Sequence, residues 1–203
     1  MSLHPQNPQP RQLNIILDCL RAGGVIIYPT DTVYGMGCDI FQHKAVERIC
    51  RIKQIDPKKA QFSFICHDLS HLSDYTKSVD TPLFRILKKA LPGPFTFILP
   101  ASKLVPKIMK SRKDTVGIRV PENLICRTIV HSLGNPIMST SLPVDDYVED
   151  YTDPEIIHEK FGNLVDLVID GGIGGMVPST VVDCTGSEPE VVRQGLGNWD
   201  QYV

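Results

Sequence analysis

Apolar positions along the chain change period from segment to segment, and the changes outline alternating helices and strands. Leu13, Ile16, Leu17 and Leu20 recur at helical spacing, with Gly23-Gly24 behind them as a stop. Val25-Ile26-Ile27-Tyr28 is a short continuous apolar run, which predicts a buried strand ending at Pro29. A hydroxyl-rich loop then leads into a helix over about residues 44–53. Ala45, Val46, Ile49, Cys50 and Ile52 face its core side, and Lys44, Arg48 and Arg51 the other.

Residues 62–66, 95–99, 115–120 and 137–141 read as further strands. Pro82 opens a helix that Pro92-Gly93-Pro94 ends, and residues 123–133 form another with Ile125, Ile129 and Leu133 in register. Asp153-Pro154 is an N-cap followed by a proline at the first helical position, and Gly162 is the stop. Short strands at 167–170, 180–184 and 191–193 close the chain without helices between the last of them. That pattern predicts an α/β fold with a mixed sheet rather than a purely parallel one. No repeat, low-complexity tract or linker interrupts the 203 residues, so a single domain is expected.

Composition narrows the class. With 42% apolar and 22% charged residues the chain can fill a core and is not a disordered one. No apolar run reaches the eighteen or so residues of a membrane span, and Met1-Ser2-Leu3-His4-Pro5 lacks the signature of a signal peptide. The six cysteines are widely spaced with no CxxC pair, which predicts reduced thiols, no structural metal and a cytoplasmic location.

The formal charge of −2 hides a polarised distribution. Lys44, Arg48, Arg51, Lys53, Lys58 and Lys59 crowd one window, and Lys103, Lys107, Lys110, Arg112, Lys113 and Arg119 a second. Residues 145–159 carry seven acids and no Lys or Arg. Such asymmetry fits a polyanion partner on one side; ordinary solvated helix faces are the alternative. The acidic run is read as a solvated loop and helix start rather than a magnesium site.

Candidate chemistry lies at strand ends. Thr30-Asp31-Thr32-Val33-Tyr34-Gly35-Met36-Gly37 is either a pocket wall for a small polar ligand or a turn that caps itself. Tyr34 reads equally as a core residue with a satisfied hydroxyl. Lys53 lies on the core stripe of its helix, as a phosphate-facing rim charge or a snorkelling terminus. Arg119, inside Val116-Gly117-Ile118-Arg119-Val120, is a bidentate anion clamp or half of a structural ion pair. Ser139-Thr140-Ser141, Ser179-Thr180 and Arg193 complete the set. Gly171-Gly172-Ile173-Gly174-Gly175 matches no nucleotide fingerprint and is read as a flexible turn.

Pro29–Gly37, Gly117–Pro121, residues 137–141, Pro178–Asp183 and Arg193-Gln194-Gly195, taken together, resemble the YrdC-like domain family over about residues 10–197. The arrangement is nearest its YciO branch, through Cys50-Arg51-Ile52-Lys53-Gln54 and Ser139-Thr140-Ser141-Leu142. The resemblance implies a single-domain YrdC/RibB-like fold: a twisted mixed parallel/antiparallel sheet flanked by helices, with a concave, positively charged face. In the synthase branch that face binds ATP, L-threonine and bicarbonate and forms threonylcarbamoyl-AMP for tRNA modification.

Carried over by position, Thr32, Arg119, Ser179 and Thr180 would contact the amino-acid substrate. Lys53, Ser139, Ser141 and Arg193 would face the nucleotide, ATP or AMP with Mg2+. Lys44, Arg48, Arg51, Lys58, Lys59, Lys110, Arg112 and Lys113 would grip RNA, either tRNA or double-stranded RNA, by shape and backbone. Two positions depart from the synthase pattern. Its Lys-x-Arg motif reads Lys53-Gln54-Ile55 here, and its Ser-x-Asn reads Ser139-Thr140-Ser141. The reading favoured is a nucleotide- and RNA-binding protein with weak or redirected adenylate chemistry; a competent threonylcarbamoyl-AMP synthase is the alternative.

Overall fold

The computed structural model describes residues 1–57, 60, 62–106, 114–143 and 148–202. Helix α1 (Pro10–Arg21) leads into strand β1 (Ile26–Tyr28), β2 (Gly35–Asp39) and helix α2 (His43–Ile52). Next come β3 (Ser63–Ile65), the short α3 (Leu72–Tyr75), α4 (Thr81–Ala90), β4 (Phe95–Pro100) and β5 (Thr115–Arg119). Helix α5 (Leu124–Leu133), β6 (Ile137–Ser141), α6 (Pro154–Phe161), β7 (Leu167–Val168), β8 (Thr180–Asp183) and β9 (Glu190–Arg193) complete the order. Among the described residues the strands form one nine-stranded sheet, ordered β7-β1-β2-β6-β3-β5-β4-β8-β9. Parallel pairs (β1 with β7, β3 with β5, β4 with β8) mix with antiparallel ones, as the late helix-free strands predicted. No helix among the described residues is long and apolar enough to cross a membrane.

The helix ends follow from local chemistry. Asp80 accepts from the Leu83 amide at 2.8 Å to cap α4, Asn123 accepts from Cys126 at 3.0 Å to cap α5, and Asp153 caps α6. At the end of α1, Gly23 (φ 86°) donates to the Leu20 carbonyl and Gly24 to that of Cys19, a paired closure of the last turn. Helix α2 closes in the same way with a worse residue. Gln54 sits at φ 54°, donating to Arg51, while Ile55 donates to Cys50 and packs on the core.

Strand alternation sorts the interior into two clusters. On one face Met36, Phe64, Phe97, Ile118, Met138 and Val182 meet Ile49 and Cys50 of α2, Leu87 of α4 and Ile157 of α6. On the other, Ile26, Tyr28, Ile65 and Ile137 are covered by Ile16 and Leu20 of α1 and Ile125 and Ile129 of α5. Strand β2 was not expected, because its glycines hide the period. It is nonetheless buried throughout and paired on both sides. The glycines have a steric reason: a Cβ on Gly37 would stand 2.4 Å from the Met138 carbonyl oxygen.

The left-handed Gln54 yields a direct test. Gln54→Gly relieves backbone strain at an exposed site and should stabilise the fold by roughly 0.5–1 kcal/mol. A raised urea midpoint with unchanged slope is the expected result; an unchanged or lower midpoint would show that this cap carries no strain.

Candidate functional site

The site lies on the face that α1 and α5 cover only in part. A register row runs across it: Gly37 pairs with Ser139, Ser139 with Ser63, Ser63 with Gly117 and Gly117 with Ile98. Four small residues in a row leave a shallow trough where larger side chains would fill the space. The next row carries Ile137, Ile65 and Arg119. The helices cover its two isoleucines, and Arg119 is where the charge begins.

Arg119 is buried, with 8% of its surface exposed. Its Nη2 donates to Asp31 Oδ1 at 2.5 Å, Thr32 Oγ1 at 2.6 Å and Thr30 Oγ1 at 3.1 Å. The loop carrying these acceptors joins β1 to β2, three strand spacings from β5, which is about 14 Å in a flat sheet. Contact across that span requires the sheet and loop to curl over the trough, which makes this face concave. The loop does cap itself. Thr30 caps its own turn by donating to the Val33 carbonyl at 2.7 Å, while Thr32 turns its hydroxyl to Arg119. Two buried atoms keep no partner among the described residues, Asp31 Oδ2 and Arg119 Nε.

Arg193 stands at the far side of the trough on β9, paired in register with Val181. It donates to the Ser179 carbonyl at 2.8 Å and reaches the Ser179 hydroxyl at 3.3 Å; that hydroxyl also meets Thr96 Oγ1 at 2.9 Å. Burial lowers the pKa of its guanidinium, and the nearby Arg119 cation lowers it further. Ser139 receives the Tyr28 hydroxyl at 2.6 Å, and burial drives that phenol well above its ordinary range. Lys53 caps α2 and donates to the Ser141 carbonyl at the trough's rim, its pKa lowered by burial.

Thr32, Arg119, Ser139, Ser179 and Arg193 thus share one face, with Lys53 and Ser141 joined at its edge. Thr180 differs from expectation. It is fully buried, donating to Gly197 at 2.7 Å and accepting from Gly195 at 3.0 Å, so its hydroxyl shapes a turn rather than facing a ligand. The glycine loop also differs. Gly175 donates to the Thr32 carbonyl and Gly174 to that of Thr152, and Tyr34 donates to Gly172 at 2.7 Å, so the turn is pinned beside the site.

Of the cations assigned to RNA, Arg48 is already engaged by Asp166 at 2.5 Å and the Leu164 carbonyl at 2.7 Å. Lys44 and Arg51 are exposed on α2, which covers the opposite face of the sheet. Lys58, Lys59, Lys110, Arg112 and Lys113 lie outside the described residues. In the acidic run Asp150 pairs with Lys160 at 3.0 Å and Asp153 is a helix cap. Among the described residues no group of three or more His, Cys, Asp or Glu could hold a metal ion.

Sequence reasoning did not single out Tyr28 or Thr96, which hold Ser139 and Ser179. Thr96, polar between Phe95 and Phe97, carried the available signal: alternation put it on the face away from the core.

Comparison with known proteins names the class. Residues 18–195 match the Sua5, YciO and YrdC family model described as telomere recombination, and the chain belongs to that family. It is 45% identical over 204 residues to the uncharacterized protein YciO of Escherichia coli, covering 99% of this chain and 97% of that one. The crystal structure of E. coli YciO superposes with a TM-score of 0.93 over 100% of this chain and 98% of that one, at 42% identity. The threonylcarbamoyl-AMP synthase of Coxiella burnetii is 33% identical over 164 residues, 81% of this chain and 87% of that protein. Pyrococcus abyssi Sua5 complexed with L-threonine superposes with a TM-score of 0.84 at 26% identity, over 96% of this chain but 57% of that longer one.

The ion pair at the centre of the site makes a measurable prediction. Arg119→Ala or Asp31→Ala each strands a buried charge and should destabilise by about 3 kcal/mol or more. The double variant should lose less than the sum, with a coupling of roughly 1–3 kcal/mol in a chemical-denaturation cycle. Additive losses would mean that the two groups do not support each other.

Proposed function

We propose that this protein binds an adenine nucleotide, ATP or AMP, in the concave face, and that its adenylate-forming chemistry is weak or redirected. One observation carries the reading. Arg119 and Arg193 lie within electrostatic reach of each other, and Asp31 is the carboxylate paired with Arg119. The trough therefore keeps a cationic surplus beside small side chains, which suits a phosphate or carboxylate ligand. Ser139, Ser141, Lys53 and Arg193 would hold the nucleotide, and Thr32, Arg119 and Ser179 an amino acid. The unpartnered Asp31 Oδ2 and Arg119 Nε suit a ligand that offers both a donor and an acceptor.

Reduced adenylate chemistry rests on two residues. Where the synthase pattern has arginine, Ile55 closes the α2 cap against the core, so no second cation accompanies Lys53 there. Ser141 replaces an amide with a shorter hydroxyl. The likeness to the C. burnetii synthase supports the competing reading, a working synthase, and pyrophosphate release from ATP with threonine and bicarbonate separates the two.

The nucleotide reading is tested by thermal shift with AMP, ATP and L-threonine. The nucleotides should raise the midpoint. Arg193→Gln should weaken their binding about tenfold or more by removing a charge-assisted hydrogen bond. Superimposable curves with and without nucleotide would overturn the reading.

RNA is the further partner we infer, from Lys44 and Arg51, which are exposed and have no acidic partner among the described residues. Affinity for tRNA should fall steeply with salt. Lys44→Gln with Arg51→Gln should shallow the log–log slope by about 0.7–0.9 for each phosphate that is no longer neutralised. Salt-independent binding, or an unchanged slope, would remove RNA from the account.

A further inference from the structure

A second hollow opens at the carboxyl ends of β3 and β5, between α4 and α5. Ligands of open α/β sheets gather outside the carboxyl ends of parallel strands, and β3 and β5 are such a pair. The hollow encloses about 360 Å³, a volume suited to a small organic molecule. Val120 lines it immediately after Arg119, and successive residues of an extended chain face opposite ways. Arg119 and Val120 thus face different ways from one strand end, one toward the trough and one toward the hollow.

The wall chemistry is specific. Leu91 and Val120 supply an apolar floor, and Phe84 stands beside it with 37% of its surface exposed. Arg127 is anchored by its Nε on the His67 carbonyl at 3.1 Å, which aims the rest of the guanidinium without neutralising it. Lys88 supplies a second cation with no acidic partner among the described residues. Asp68, whose carboxyl the Ser70 hydrogen bonds hold below its usual range, supplies one negative charge. Two cations against one carboxylate leave a single net positive charge beside an apolar floor. A monoanion balances that charge, whereas a polyphosphate would bring surplus negative charge against Asp68.

We propose that this hollow is a binding site for a small amphipathic monocarboxylate, its carboxylate between Arg127 and Lys88 and its apolar body on Phe84, Leu91 and Val120. The site is separate from the trough and does not depend on the nucleotide reading.

The probes are phenylacetate and isovalerate, titrated into the full chain and followed by backbone amide shifts. Saturable shifts at Leu69, Phe84, Leu91 and Arg127, undisturbed by AMP, are the expected result. Phenylethylamine, the same body with the opposite charge, should give none. Arg127→Gln should weaken phenylacetate about tenfold. Lys88→Gln, at an exposed side chain that the fold does not use, should weaken it about threefold or more, which keeps the test valid if the first variant unfolds. Absence of saturable shifts, equal binding of phenylethylamine, or indifference to Lys88→Gln would overturn the proposal. So would shifts at Thr32, Arg119 and Arg193 that AMP reverses, because the probe would then occupy the trough. Loss of AMP binding with phenylacetate binding intact would count against the nucleotide reading alone.

Discussion

The guanidinium of Arg119 is the charge around which this fold is arranged. An arginine this deeply buried is tolerated only where fixed acceptors replace water, and Asp31, Thr30 and Thr32 supply them from a loop several strands away. Reaching that loop requires a row of small residues on the intervening strands, beside the helix-covered Ile65 and Ile137. Gly35, Gly37, Ser63 and Ser139 meet that requirement, and Ser139 in turn is held by Tyr28. The concavity, the small residues and the charge are therefore one arrangement. Filling the trough with larger side chains would separate the arginine from its acceptors.

The departure from the synthase pattern has a backbone cause as well as a chemical one. A helix that ends with a left-handed residue buries the next residue against its last turn, and that next residue here is Ile55. An arginine at the same place would have to leave the core and aim at the trough, so the closure of α2 and the charge complement of the site are coupled. Lys53 is drawn into the same corner, with its ammonium on the Ser141 carbonyl. At Ile55, one of the two positions that depart from the synthase pattern, the difference thus coincides with a particular way of ending one helix.

The sequence made legible whatever depends on local chemistry. The caps at Asp153 and Gly23 and the core stripe of α2 all follow from neighbours a few residues apart. Strand β2 was hidden because its glycines answer to Tyr28 and Met138, residues brought beside it only by pairing. Arg119 could be read as a clamp or as half of an ion pair; the ion pair, with Asp31, is what the fold builds. Thr180 looked like Ser179 in sequence, yet strand alternation turns it inward to a turn carbonyl while Ser179 meets Arg193. The pinning of the Gly171–Gly175 turn was out of reach because its partners, Thr32, Tyr34 and Thr152, are far away in the chain.

Strand β5 gives the site its polarity. Its end is clamped on both sides: Cys66 donates to the Arg119 carbonyl and Gly93 to that of Val120, each at 2.9 Å. With the backbone fixed, the side chains of these consecutive residues must diverge, one toward the trough and one toward the hollow. The two cavities receive opposite surroundings as a result. The trough holds guanidinium groups among hydroxyls and glycines. The hollow holds its cations at the rim of an apolar floor. Two different surroundings at one strand end therefore follow from alternation, once neighbouring strands hold that end rigid.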